Sequence, residues 1–101
     1  MITIGRYNFD GPYSSTSKLE DRAGVYAIID ARTGENILVD VGESAVVRTR
    51  VENHDRSDCW NRNTIGKLQA AVLYTPNLHQ EGRMRIEQEI RNQFHPACGV
   101  R

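Results

Sequence analysis

With 101 residues the chain has room for one domain and a single modest core. Charged residues make up 26% and hydrophobic residues 39%, ordinary values for a soluble globular protein, and no apolar run nears the roughly 18 residues a membrane-spanning helix needs. Thirteen basic residues balance thirteen acidic ones, which argues mildly against a nucleic-acid surface made by composition; any phosphate-binding patch has to be assembled locally by folding.

The opening "MITIGRYNFDG" has no basic region, long apolar stretch or small-residue cleavage site, so a cytoplasmic protein is the expectation. Residues 2 to 7 alternate like an edge strand, and the turn formers of "DGPYSSTSK" read as a loop after it. "AGVYAIIDA" (23–31) and "ILVDVG" (37–42) are apolar and β-branched without a helical period. The five-residue link containing Gly34 makes them an antiparallel hairpin. Ser44 is a competent N-cap for a helix to about His54, with Val47 and Val51 one turn apart as its core stripe. Arg50 and His54 share a neighbouring face of it. Residues 55 to 67 read as loop mixed with a short helix, and 68 to 75 as a strand stopped by Pro76. A last helix spans about 79 to 94, with Ile86, Ile90 and Phe94 as its buried stripe and Pro96 beyond its end. The fold class is therefore α/β (α+β): a single domain with a small, mostly antiparallel sheet of three to four strands flanked by helices.

Cys59 and Cys98 lie far apart and lack the paired CxxC elements of structural zinc sites. They read as free thiols, although His54 and His95, five and three residues before them, leave a metal site as the sharper alternative. Asp40 is the oddest residue in the chain. An aspartate within "ILVDVG" is unfavourable in a strand, and burying its charge without a partner costs several kcal/mol. Strict alternation puts Leu38, Asp40 and Gly42 on one face and Ile37, Val39 and Val41 on the other.

Gly24-Val25-Tyr26 and Asp40-Val41-Gly42, on successive strands, resemble the two signatures of the GIY-YIG nuclease superfamily. Arg50 stands eight residues after Gly42, His54 four residues later, and Glu87 nine residues before Pro96, each at the family's position for an arginine, a histidine and a metal-binding glutamate. The match covers residues 24 to 99, with a domain core of about 22 to 99. The resemblance implies hydrolysis of DNA phosphodiester bonds with one divalent cation, Mg²⁺ or Mn²⁺, held by Glu87. It makes Arg50 the phosphate clamp, Tyr26 the water-activating phenol or a partner of it, and His54 a general base or proton relay. Arg48, Arg56 and Arg62 are the residues for contact with DNA, and specificity has to come from loops, a homodimer or a protein partner. Asp40 stands where the family has its second tyrosine. Either it works in the site as a further metal ligand or base, or the chain is a catalytically silent nucleic-acid- or protein-binding module on the same fold.

Ordinary readings stand beside these. Tyr26 can be a rim tyrosine, Arg50 and His54 a solvated helix face, and Arg83, Glu87 and Arg91 a ladder of helix-stabilising ion pairs. Trp60 reads as a core anchor in preference to a base-stacking platform. A small-molecule enzyme has no support from a glycine-rich phosphate loop, metal-hydrolase motif or nucleophile elbow.

Overall fold

The computed structural model describes residues 1–99. The elements in chain order are β1 (Ile2–Ile4), β2 (Tyr7–Tyr13), a 3₁₀ turn (Thr16–Lys18), β3 (Gly24–Arg32), β4 (Glu35–Ser44), α1 (Val47–Glu52), α2 (Ser57–Arg62), β5 (Lys67–Tyr74) and α3 (Gln80–Phe94). The strands form one antiparallel sheet in the order β1-β2-β5-β3-β4. Among the described residues, no helix is long and apolar enough to cross a membrane.

β3 is the central strand, paired along its length with β4 on one side and β5 on the other. Both of its faces are covered, which is why its sequence runs apolar without alternation. Tyr26 and Ile28 point into a layer with Val39, Val47, Val51 and Trp60. Val25, Ala27 and Ile29 point the other way, into a layer with Phe9, Val41 and Ile90. Thus α1 and α2 close one face of the sheet and α3 closes the other. The β3–β4 hairpin turns through two residues, Thr33 and Gly34, with Gly34 at φ +78°, tighter than the five-residue link expected.

Strict alternation fails in β4. Ile28 pairs with Asp40 but Ile29 pairs with Leu38, so Val39 is an extra, bulged residue. The bulge sends Leu38 to the α3 side and leaves Val39 and Asp40 together on the α1/α2 side.

Three further expectations are corrected. The sheet has five strands, because the turn-rich "YNFDGPY" is itself a strand: Phe9 is fully buried, and Asp10 and Tyr13 pair with Val72 and Ala70 of β5. Tertiary pairing overrides local composition there. Ser44 ends β4 instead of capping a helix; its Oγ accepts from the Val46 N–H, and α1 begins at Val47. In α3, Ile90 is buried and Ile86 half-buried, but Phe94 is 43% exposed, while Arg83 and Arg91 are buried. The helix lies against the edge strand β4, whose carboxylates draw these arginines inward.

Ile90→Ala should therefore lower unfolding free energy by about 2–4 kcal/mol, and Phe94→Ala by less than about half of that. Urea unfolding of the two variants beside the wild type reads the difference; equal losses would contradict this packing.

Candidate active site

The site begins with Tyr26 on β3. Its cross-strand neighbour is Gly42. The phenol lies directly over that glycine: a Cβ there would fall 2.2 Å from Tyr26 Oη. Only glycine lets the ring cross β4 and reach His54, just past the end of α1. Tyr26 Oη and His54 Nε2 are 2.7 Å apart in a fully protected contact. His54 Nδ1 accepts from the Arg56 backbone N–H at 3.0 Å. A neutral imidazole that accepts at Nδ1 carries its proton on Nε2, so the hydrogen-bond network assigns His54 as the donor to the phenol oxygen. Neither ring nitrogen then keeps a free lone pair. The imidazole also packs at 4.6 Å on the Trp60 ring and edge-on to Tyr26.

Burial governs the protonation of both groups. It pushes the Tyr26 phenol up to about 12, against the opposing pull of the Arg50 and Arg56 cations. It pushes His54 down to about 4, with the same two arginines adding to the effect. The pair is thus a neutral phenol held by a neutral imidazole at physiological pH.

Asp40 lies beside this pair with no exposed surface. Its Oδ1 accepts from the Val41 N–H at 2.8 Å and from Arg91 Nη2 at 2.7 Å. Its Oδ2 accepts from Arg56 Nε at 2.8 Å and from the Trp60 indole Nε1–H at 2.7 Å. Arg56 Nη2 adds a fifth donor at 3.3 Å. A carboxylate has about four lone-pair sites, so Asp40 has none left for a cation or a water. It is the anchor that ties β4 to α2 and α3. Arg91, itself buried, also donates to the Val41 and Cys98 carbonyl oxygens and to Glu87 Oε2.

Glu87 is half-buried on α3, and burial holds its carboxyl above the usual carboxylate range despite Arg91 beside it. It stands close enough for its charge to act on the Tyr26 phenol and on Arg56. Arg50 acts by its charge on Tyr26 and His54, and its ion pair among the described residues, to Asp55 at 3.4 Å, is exposed. Contacts link these residues in a chain: Tyr26 meets His54, His54 packs on the Trp60 that donates to Asp40, Asp55 pairs with both Arg50 and His54, and Arg91 joins Glu87 to Asp40. The three arginines assigned to DNA part company. Arg56 is committed inward to Asp40, Arg48 pairs with Glu52 on α1, and Arg62 is exposed on the last turn of α2. Sequence reasoning missed Arg91 and the indole N–H of Trp60 as partners of Asp40. The available signal was the aspartate itself, since a buried carboxylate demands a cation.

The two cysteines are not free thiols. Cys59 and Cys98 form a disulfide with an S–S distance of 2.14 Å, so neither is a thiolate ligand in this state. Among the described residues no three His, Cys, Asp or Glu side chains are grouped to hold a metal. A separate cleft of about 300 Å³ opens between the sheet and α1/α2, walled by Ile28, Val51, Trp60 and Leu68. It excludes Tyr26, Arg50, His54 and Glu87, so it is not where the polar groups converge. No family model, curated protein or solved structure matches the chain.

Asp40→Ala takes from the buried Arg91 its closest carboxylate, leaving it the longer pair with Glu87, and should cost about 3–5 kcal/mol, measured by urea unfolding; a loss under about 1 kcal/mol would contradict the anchoring role. His54 supplies a pH test. Its folded-state value lies below the ordinary 6.5, so the unfolded chain binds the proton more readily. The stability tied to neutral His54 is present above pH 6.5 and is lost as pH falls from 6.5 towards about 4. Across that window the wild type should lose stability relative to His54→Gln, which cannot titrate.

Proposed function

We propose that the chain is a divalent-metal-dependent endonuclease that hydrolyses phosphodiester bonds in DNA, of the GIY-YIG type its motifs resemble. The observation that carries the reading is the 2.7 Å contact between Tyr26 Oη and His54 Nε2, which joins the first motif strand to the end of the helix bearing Arg50. Because His54 donates to the phenol oxygen, the phenol's own proton is not used in that contact. Tyr26 thus orients a water or a phosphoryl oxygen as a neutral donor, and His54 is a positioning residue instead of the base. Arg50 neutralises charge developing on the phosphoryl group. Its exposed pair with Asp55 is the weak kind that a phosphate can replace.

The cation this reading requires is Mg²⁺ or Mn²⁺, and Glu87 is the residue that would hold it. Mg²⁺ keeps several waters and is commonly held by one or two carboxylates plus substrate phosphate oxygens, so a single half-buried glutamate with one oxygen free of Arg91 fits it. Such a cation supplies Lewis-acid stabilisation of charge on the phosphoryl and leaving oxygens. Asp40 touches no reacting atom here; it holds Arg56, Trp60 and Arg91 where the working residues need them.

One observation favours a silent binding module as the second reading. The residue in place of the family's second tyrosine has every acceptor position filled, so the site has one phenol instead of two. Incubation of the purified chain with supercoiled, branched and single-stranded DNA separates the readings. The nuclease should cleave at least one of them with Mg²⁺ or Mn²⁺ and stop with a chelator. Tyr26→Phe, Arg50→Ala and Glu87→Gln should each slow cleavage by roughly 10²-fold or more with the circular dichroism unchanged. Salt-sensitive DNA binding without cleavage of any substrate would establish the module instead.

A further inference from the structure

The Cys59–Cys98 disulfide joins α2 to the segment beyond α3, across 39 residues of sequence. Both ends of this bridge are built into the Asp40 cluster. On one side, Cys98 donates its backbone N–H to the Val39 carbonyl oxygen at 2.9 Å and accepts from Arg91 Nη1 at 2.9 Å. On the other, Cys59 is next to Trp60, which donates to Asp40 and packs on His54. α2 has only six residues, too few to hold itself by helix propensity, so it depends on what ties it down. Arg56, whose backbone N–H fixes the His54 tautomer, immediately precedes it.

We infer that the Cys59–Cys98 disulfide is a thiol-responsive site that sets the geometry of the Tyr26–His54 pair. The inference is independent of what that pair does to a substrate. Cys98 is fully buried and Cys59 half-buried, so an entering thiol meets Cys59 Sγ first. A small-molecule thiolate attacks that sulfur, the S–S bond breaks, and Cys98 leaves as a thiolate that takes a proton from solvent. A second thiolate attacks the small-molecule sulfur of the mixed disulfide and releases Cys59, also to be protonated. Two thiols become one disulfide, and the protein gains two electrons and two protons. The Asn63 side-chain amide stands 3.4 Å from Cys59 Sγ and 3.6 Å from Cys98 Sγ, a donor for either sulfur as it acquires charge. Reduction removes the covalent tie between α2 and the segment beyond α3, so that Trp60 and Arg56, which hold His54, are tied down by their bonds to Asp40 without it.

Nuclear magnetic resonance of the full chain, with and without dithiothreitol, tests this through the protein's single indole and the His54 imidazole. The imidazole is faced by Tyr26, Trp60, Arg50, Asp55 and Arg56, with Asp40 behind them. On reduction the Trp60 indole N–H should exchange with solvent about 10-fold faster or more. The midpoint of His54 should rise from about 4 by at least about one unit towards 6.5. Both should return on reoxidation, with far-UV circular dichroism kept throughout. A Cys59→Ser/Cys98→Ser chain should behave as the reduced protein without any thiol; if it fails to fold, the reduction and reoxidation cycle of the wild type decides. Unchanged indole exchange and His54 titration with only a lower urea midpoint would make the bridge a structural staple and overturn the inference. So would loss of the fold on reduction, or two titratable thiols in the untreated protein.

Discussion

A carboxylate without contact with water must be matched donor for donor, and Asp40 is matched five times over, by groups from β4, α2, α3 and the residue just before α2. Those elements have little else in common. β4 is an edge strand, α2 is a six-residue helix, and α3 packs on the opposite face of the sheet from α2. The bulge at Val39 turns Asp40 to the side where Trp60 and Arg56 wait, and Arg91 reaches it from α3. Replacing buried ion pairs by well-packed hydrophobic residues of similar volume often costs no stability. What the aspartate adds is direction, since each donor has one geometry in which it can reach the carboxylate.

That direction is inherited by the Tyr26–His54 pair. Trp60 is both a donor to Asp40 and the ring on which His54 packs; Arg56 is both a side-chain partner of Asp40 and the backbone donor to His54 Nδ1. The imidazole is therefore fixed in rotation and tautomer by two groups that Asp40 has already placed. Gly42, two residues further along β4, completes the arrangement by leaving space for the phenol. A single strand thus supplies both the anchor and the gap, one through its charge and the other through its missing side chain.

The parts of this fold that could be read from the sequence are those with a local cause. β3 and β5 are legible because continuous apolar runs bury most simply as covered strands, and α3 through its four-residue repeat, although Phe94 of that repeat stays exposed. β2 is not legible, because Gly11 and Pro12 look like a turn until Val72 and Ala70 are present to pair with their neighbours. The bulge was invisible to an alternation rule that counts every residue once. Motif spacing singles out Tyr26, Arg50, His54 and Glu87 as candidates, and Asp40 stands out through its misfit. The partners of Asp40 do not: Arg91 is 51 residues away and looks, on its own helix, like one rung of an ion-pair ladder. The disulfide was unreadable for the same reason, since 39 residues separate two cysteines with no patterned neighbours.

Part of the balanced charge is paired off within the fold. Arg56, Arg83 and Arg91 are spent on Asp40, Glu43 and Glu87 within the fold, and Arg6 and Arg22 pair with Glu89 and Glu20 at the surface. At the candidate site Arg50 is paired, among the described residues, with the exposed Asp55 at 3.4 Å. If the chain binds phosphate as proposed, Arg50 and not a broad basic field carries the contact, so its loss would remove a large share of the affinity. Position then matters more than charge count, and position is what the Asp40 anchor provides: the same carboxylate that uses up Arg56 and Arg91 internally fixes the ground on which the remaining cations stand.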